Sequence, residues 1–126
     1  MRLLLDTAVF IFAVQSPERL SKRALAVIAD PENIRQLSSV SLTEISIKVA
    51  LRKLQFSATL AHQGLQDLDV SILPFTAEHA FRLFDLPVEH KDPFDRQIIA
   101  QGFAEEIAVV TSDHKFSEYK GLQIIW

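Results

Sequence analysis

HKDPFDRQIIAQGFAEEIAVVTSD, residues 90–113, decides the fold. Its first half reads as a helix that opens at Pro93, a residue suited to the first helical position because no amide hydrogen is left orphaned there, and that runs to about Glu105. Ile107 to Val110 then form a short apolar run, a buried strand ending in Thr111, Ser112 and Asp113. Helix followed by buried strand is the repeating unit of an α/β chain, and the same alternation extends outward. Downstream, Leu122 to Ile125 make a last strand; upstream, Arg2 to Leu5, Ile34 to Val40 and Val70 to Leu73 read as strands. Between them lie helical stretches. One starts at Ser16 and Pro17, with apolar spacing at Leu20, Ala24, Val27 and Ile28; a second, SLTEISIKVALRKL, starts from a Ser41 cap. Two more cover Ala58 to Leu68 and the segment from Pro74 and Thr76 to about Phe84. The alternation predicts an α/β fold: a parallel sheet with helices on both faces, in one domain spanning residues 1–126.

The chain length fits one core and is short of two ordinary domains, and a composition of 48% hydrophobic and 23% charged residues excludes a disordered chain. With no cysteine there is no disulfide scaffold, thiolate zinc site or thiol nucleophile, and a cytoplasmic location is expected. The opening MRLLLD is cut off by Asp6, too short for a signal peptide or a membrane span. A net charge of -3 argues against broad adhesion to nucleic acid, so such a role needs local basic patches. Lys48, Arg52 and Lys53 on one side of a helix are one candidate, and Arg19, Lys22 and Arg23 another; each also reads as a solvated helix face. The four histidines lack HExxH spacing, and there is no P-loop, GxGxxG or GxSxG motif.

Open parallel sheets build their sites at the carboxyl ends of the strands, so acids there carry the most information. Asp6 ends the first strand, Asp113 follows the IAVV strand, Glu44 lies one turn into the helix after the second strand, and Asp92 and Asp95 open the helix before IAVV. Ser41 to Glu44 also spells a capping box, and Asp92 with Asp95 can cap around Pro93, so these acids have a structural reading beside the chemical one. Asp6 and Asp113 yield less easily: a turn role after the strand is open to either, but Asp6 directly follows three leucines, and an ionised carboxylate beside a core strand is costly unless paired or metal-bound. Converging carboxylates with no His or Cys among them suit Mg²⁺ or Mn²⁺, and the chemistry this favours is phosphodiester hydrolysis.

LLLDT at the start, SLTEISIK in the middle, HKDPFDRQIIAQ, VVTSDHKF and the closing GLQIIW occur in an order and at a spacing that resemble the PIN-domain ribonucleases, and within them the VapC toxins of prokaryotic toxin–antitoxin pairs. The resemblance covers nearly the whole chain. It implies that Asp6, Glu44, Asp95 and Asp113 hold Mg²⁺ or Mn²⁺ and carry catalysis, with Asp92 left as the helix cap. It sets Thr7, Ser41 and Thr111 beside the acids as hydrogen-bonding support, and Lys48, one helical turn from Glu44, is a candidate to orient that acid. It further implies an RNA substrate, transfer or ribosomal, a VapB-type antitoxin that wraps the toxin, and a homodimer. AVFIFAV, Ala8 to Val14, reads either as a wall of the antitoxin groove or as core. The chain departs from some relatives in carrying His114, Lys115 and Phe116 after Asp113 and Ala8 two places after Asp6. His90 and His114 lie near the acids in the sequence, either as phosphate contacts or as exposed loop residues. The competing reading, from a different class, is a non-catalytic PIN-like module that binds RNA or protein; four like charges gathered without an ion speak against it.

Overall fold

In the computed structural model, which describes all 126 residues, the strand β1 (Arg2–Leu5) runs through the middle of the molecule. Leu3, Leu4 and Leu5 are fully buried, and because successive strand side chains point to opposite faces, Leu3 and Leu5 enter one core cluster and Leu4 the other. A sheet buried on both faces needs a helical layer on each, as parallel sheets generally do. The sheet is parallel throughout, in the order β3-β2-β1-β4-β5, with β2 (Ile34–Ser38), β3 (Val70–Leu73), β4 (Ala108–Val110) and β5 (Ile124–Ile125). Leu5 pairs with Leu37 on one side and Val110 on the other, so β1, β2 and β4 reach the same edge nearly together. The expected α/β architecture is present.

On the Leu3/Leu5 face pack α1 (Thr7–Gln15), α2 (Lys22–Ala29), α3 (Ser39–Ala50) and α4 (Ala58–Asp67), contributing Phe10, Ala24, Ile28, Ile45 and Ala61 to the core. On the Leu4 face lie α6 (Pro93–Glu105), through Ile98 and Ile99, and α5 (Ala77–Arg82) beside it. Glu106 takes a left-handed conformation at φ 53 and turns the chain from α6 into β4. No helix is long and apolar enough to cross a membrane.

Several boundaries differ from the expected ones. The segment from Ser16 is not one helix: Pro17–Arg19 form a 3-10 turn, and α2 starts afresh from Ser21, whose hydroxyl accepts the Ala24 amide at 3.0 Å. α1 itself has no counterpart among the expected helices. β2 ends at Ser38, which caps α3 through a 3.0 Å bond from the Val40 amide, so Ser41 lies inside the helix and is not its cap. α3 stops at Ala50, and Arg52 sits at φ 57, so Arg52 and Lys53 do not continue a helix face with Lys48.

Candidate metal centre

The switch in strand order falls between β1 and β4, and the crevice outside their carboxyl ends is where the fold places ligands. A pocket of about 200 Å³ lies there, lined by Asp6, Thr7, Glu44, Lys48, Asp92, Asp95, Ser112 and Asp113 together with Ala8 and Ile11. All four acids expected at the site therefore face one space, delivered by the end of β1, the second turn of α3, the first turn of α6 and the segment after β4.

Each acid is held differently. Asp6 caps α1: its Oδ1 accepts the Val9 amide at 2.7 Å, its Oδ2 accepts the Thr111 hydroxyl, and its own amide donates to Val110 of β4 at 3.0 Å. Burial pushes its carboxyl up from 3.8 to about 6, with Glu44 and Asp113 adding repulsion and the two hydrogen bonds opposing the rise. Glu44, expected to close a capping box, caps nothing. It is 4% exposed; Oε2 accepts Lys48 Nζ at 2.7 Å, and Oε1 is buried with no partner. That contact raises the Lys48 pKa, chiefly through the hydrogen bond to Glu44.

Asp92 caps α6, its Oδ1 accepting the amides of Phe94 at 2.8 Å and Asp95 at 3.2 Å. Asp95 is left free of capping and turns into the pocket, where burial, then the charge of Asp92, push its carboxyl up to about 7 against the pull of His90. Asp113 behaves in the opposite way. Desolvation alone would raise its pKa, but the Lys115 amide at 3.0 Å and His90 outweigh it, and the carboxyl is held below the usual range. Thr7 donates to Ser41 at 2.8 Å, and Thr111 Oγ1 accepts the Asp113 amide at 3.1 Å while donating to Asp6. Thr111 thus ties two acids together. Thr111→Val strips Asp6 Oδ2 and the Asp113 amide of their partner, and should cost roughly 1–3 kcal/mol in a denaturant titration.

His90 was a minor candidate in the sequence, yet it is buried among the acids, 2.9 Å from Asp95 Oδ2 and 3.1 Å from Asp113 Oδ2. His114 is exposed on the 3-10 turn His114–Glu118. No local spacing flags His90, whose burial depends on Phe116 and Tyr119 further along the chain. Of the second basic patch, Arg19 lies over the Phe12 ring at 4.1 Å. The apolar run Ala8–Val14 mostly serves the core: Val9 and Phe10 are fully buried, while Ala8 and Ile11 reach the acid pocket.

The PIN domain family profile matches residues 3–122. No curated protein matches the chain by sequence. Among solved structures the chain is similar to VapBC2 from Rickettsia felis bound to a DNA fragment from their promoter, with a TM-score of 0.70 and 22% identity over 98% of this chain and 97% of that one. DNA-bound VapBC from Salmonella typhimurium (TM-score 0.64, 18% identity, 98% and 96% covered) and VapBC-5 from Mycobacterium tuberculosis (0.62, 20%, 98% and 96%) follow the same course. At these identities the likeness is one of fold.

Proposed function

The chain belongs to the PIN-domain family, and from that premise we propose that it is a cytoplasmic metal-dependent endoribonuclease, the VapC-type toxin of a toxin–antitoxin pair. The observation that carries this reading is the Glu44 oxygen buried without a donor, on a residue that lines one pocket with four aspartates. Asp6 and Asp95 point the same way, since both carboxyls are pushed up by burial, with neighbouring acids adding to the rise. The donor set is carboxylate oxygen, which fits Mg²⁺ or Mn²⁺ held by Asp6, Asp95 and Asp113, with Glu44 direct or through water. Such an ion, when bound, lowers the pKa of a water and neutralises charge at the phosphorus under attack.

The protein's own groups prepare that site. Lys48 occupies Glu44 Oε2, leaving Oε1 as the buried oxygen without a partner. Thr111 and the Val9 amide fix both oxygens of Asp6, so the acid cannot swing away when the substrate enters. RNA is the substrate class in this reading, transfer or ribosomal, met through local contacts because the chain is acidic overall.

For the antitoxin, a groove of about 450 Å³ lies between α3 and α4, walled by Leu42, Ile45, Val49, Ala58, Ala61 and Leu65. An amphipathic helix of a VapB-type partner suits such a groove. α3 carries Glu44 and Lys48 into the acid pocket, so one element joins groove and site. A homodimer completes the expected assembly, and sedimentation equilibrium tests it.

Cleavage of total cellular RNA by the antitoxin-free chain, with Mg²⁺ or Mn²⁺ against EDTA, tests the activity. Discrete metal-dependent fragments are expected. Folded, metal-binding protein that leaves RNA intact would rule out the RNA substrate; absence of metal binding would favour a module that binds without cutting.

A further inference from the structure

We propose that His90 is a positioning residue for the metal centre, an N–H donor that holds the Asp113 carboxylate in place beside Asp95 without itself ligating the ion. The inference rests on the metal-dependent reading above and adds a role to a residue outside the four acids. Its basis is the hydrogen-bonded surroundings of the ring. The side chain is 8% exposed and lies edge-on to Phe116, with centroids 5.9 Å apart and planes at 84°. The His90 amide donates to the Tyr119 hydroxyl at 2.8 Å, so residues beyond β4 hold the backbone while Phe116 holds the ring.

The tautomer follows from what each ring nitrogen meets. Nδ1 lies 3.2 Å from the Asp92 amide, a group that can only donate, so Nδ1 must accept. The proton of the neutral ring is then on Nε2, which donates to Asp113 Oδ2 at 3.1 Å and lies 2.9 Å from Asp95 Oδ2. The N–H thus bonds Asp113 and the same nitrogen lies against Asp95, two carboxylates from different elements, and the three possible ligand atoms lie within 4.8 Å of one another.

That distance is also compatible with His90 as a direct ligand, and the same geometry decides against it. An imidazole that binds an ion through Nε2 carries its proton on Nδ1. Here that proton would point at the Asp92 amide hydrogen, a clash of donors at 3.2 Å. Moving the amide would disturb the cap, since Asp92 also accepts from Phe94 and Asp95 to start α6. The segment His90 to Asp95 therefore does three things at once: Asp92 caps the helix, Asp95 faces the pocket, and His90, oriented by the Asp92 amide, holds Asp113 beside Asp95.

Calorimetric titration of the purified chain with Mn²⁺, for the wild type, His90→Leu and His90→Gln, tests the proposal, alongside electron spin-echo spectra of the Mn²⁺-loaded wild type. Leu removes the donor, whereas Gln places an N–H₂ near the position of Nε2. Leu should weaken Mn²⁺ binding about 10–100-fold, Gln should recover most of the loss, and the wild-type spectrum should lack the coupling of a directly bound imidazole nitrogen. Unchanged affinity in folded His90→Leu, or Gln no better than Leu, overturns the donor role. A directly bound nitrogen overturns it too, by making His90 a ligand, and this readout needs no variant to fold. If the wild type binds no Mn²⁺, the metal-dependent reading falls with it; if the wild type binds and Leu binds equally, only the proposal falls.

Discussion

Asp95→Asn should lower RNA cleavage by about three orders of magnitude while making the metal-free protein more stable at neutral and alkaline pH. The two effects have one cause. Asp95 caps nothing; the start of α6 is held by Asp92, which accepts the Asp95 amide through its own side chain. Its carboxylate instead faces the pocket, where burial and Asp92 push its pKa from 3.8 to about 7. A carboxyl that binds its proton more tightly when folded favours the fold fully below the unfolded value near 3.8, and loses that advantage as pH rises to about 7. Above pH 7 the ionised group is a net burden unless an ion offsets it. Asparagine has nearly the same shape and carries no charge. Cleavage assays and urea titrations in EDTA at pH 5 and pH 8 check both halves: the variant should match the wild type more nearly at pH 5 and exceed it at pH 8. Retained turnover sinks the assignment of Asp95, and a variant less stable at pH 8 makes the residue a structural one.

What the sequence revealed and what it concealed separate along a physical line. β3 and α6 could be read almost to the residue, because Val70–Leu73 is a bounded apolar run and Pro93 marks a helix start whatever packs against it. The start of α3 could not. Ser38, Ser39 and Ser41 are all competent caps, and the choice is made by the sheet: β2 ends at Ser38, which pairs with Leu73 of β3 one residue after the pairing with β1 stops at Leu5 and Leu37. α1 escaped for a different reason. Ala8 to Val14 is apolar on every side, so it carries no helical periodicity, and its cap, Asp6, also reads as a ligand at a strand end. The capping logic was in part inverted. Glu44, which reads as half of a capping box, has one oxygen unpartnered, whereas Asp6 and Asp113 are capping residues that still face the pocket. His90 was hidden because its burial depends on Phe116 and Tyr119, residues far along the chain whose approach no local pattern encodes.

Mn²⁺ or Mg²⁺ at about 1,000 times its dissociation constant should raise stability at pH 8 by about 4 kcal/mol, a gain in melting temperature on the order of 10 °C for a chain of this size. The same addition at pH 5 should do much less, because the ion needs ionised carboxylates and protons compete for them. Asp6 and Asp95 set the window: their carboxyls, raised to about 6 and about 7, take up protons as pH falls through that range. In EDTA these two groups act in the reverse sense. Their contribution to the fold is greatest below about 3.8 and is lost as pH climbs past 6 to 7. Melting curves with EDTA and with metal should therefore separate as pH rises, and Asp6→Asn with Asp95→Asn should remove most of the separation. A protein that uses this pocket only to bind RNA or another protein has no reason to respond. In that case the unpartnered Glu44 oxygen and two carboxyls lifted by burial would be a standing cost to the fold that no ligand relieves, which is why the gap between the two curves discriminates nuclease from adaptor before any substrate is known.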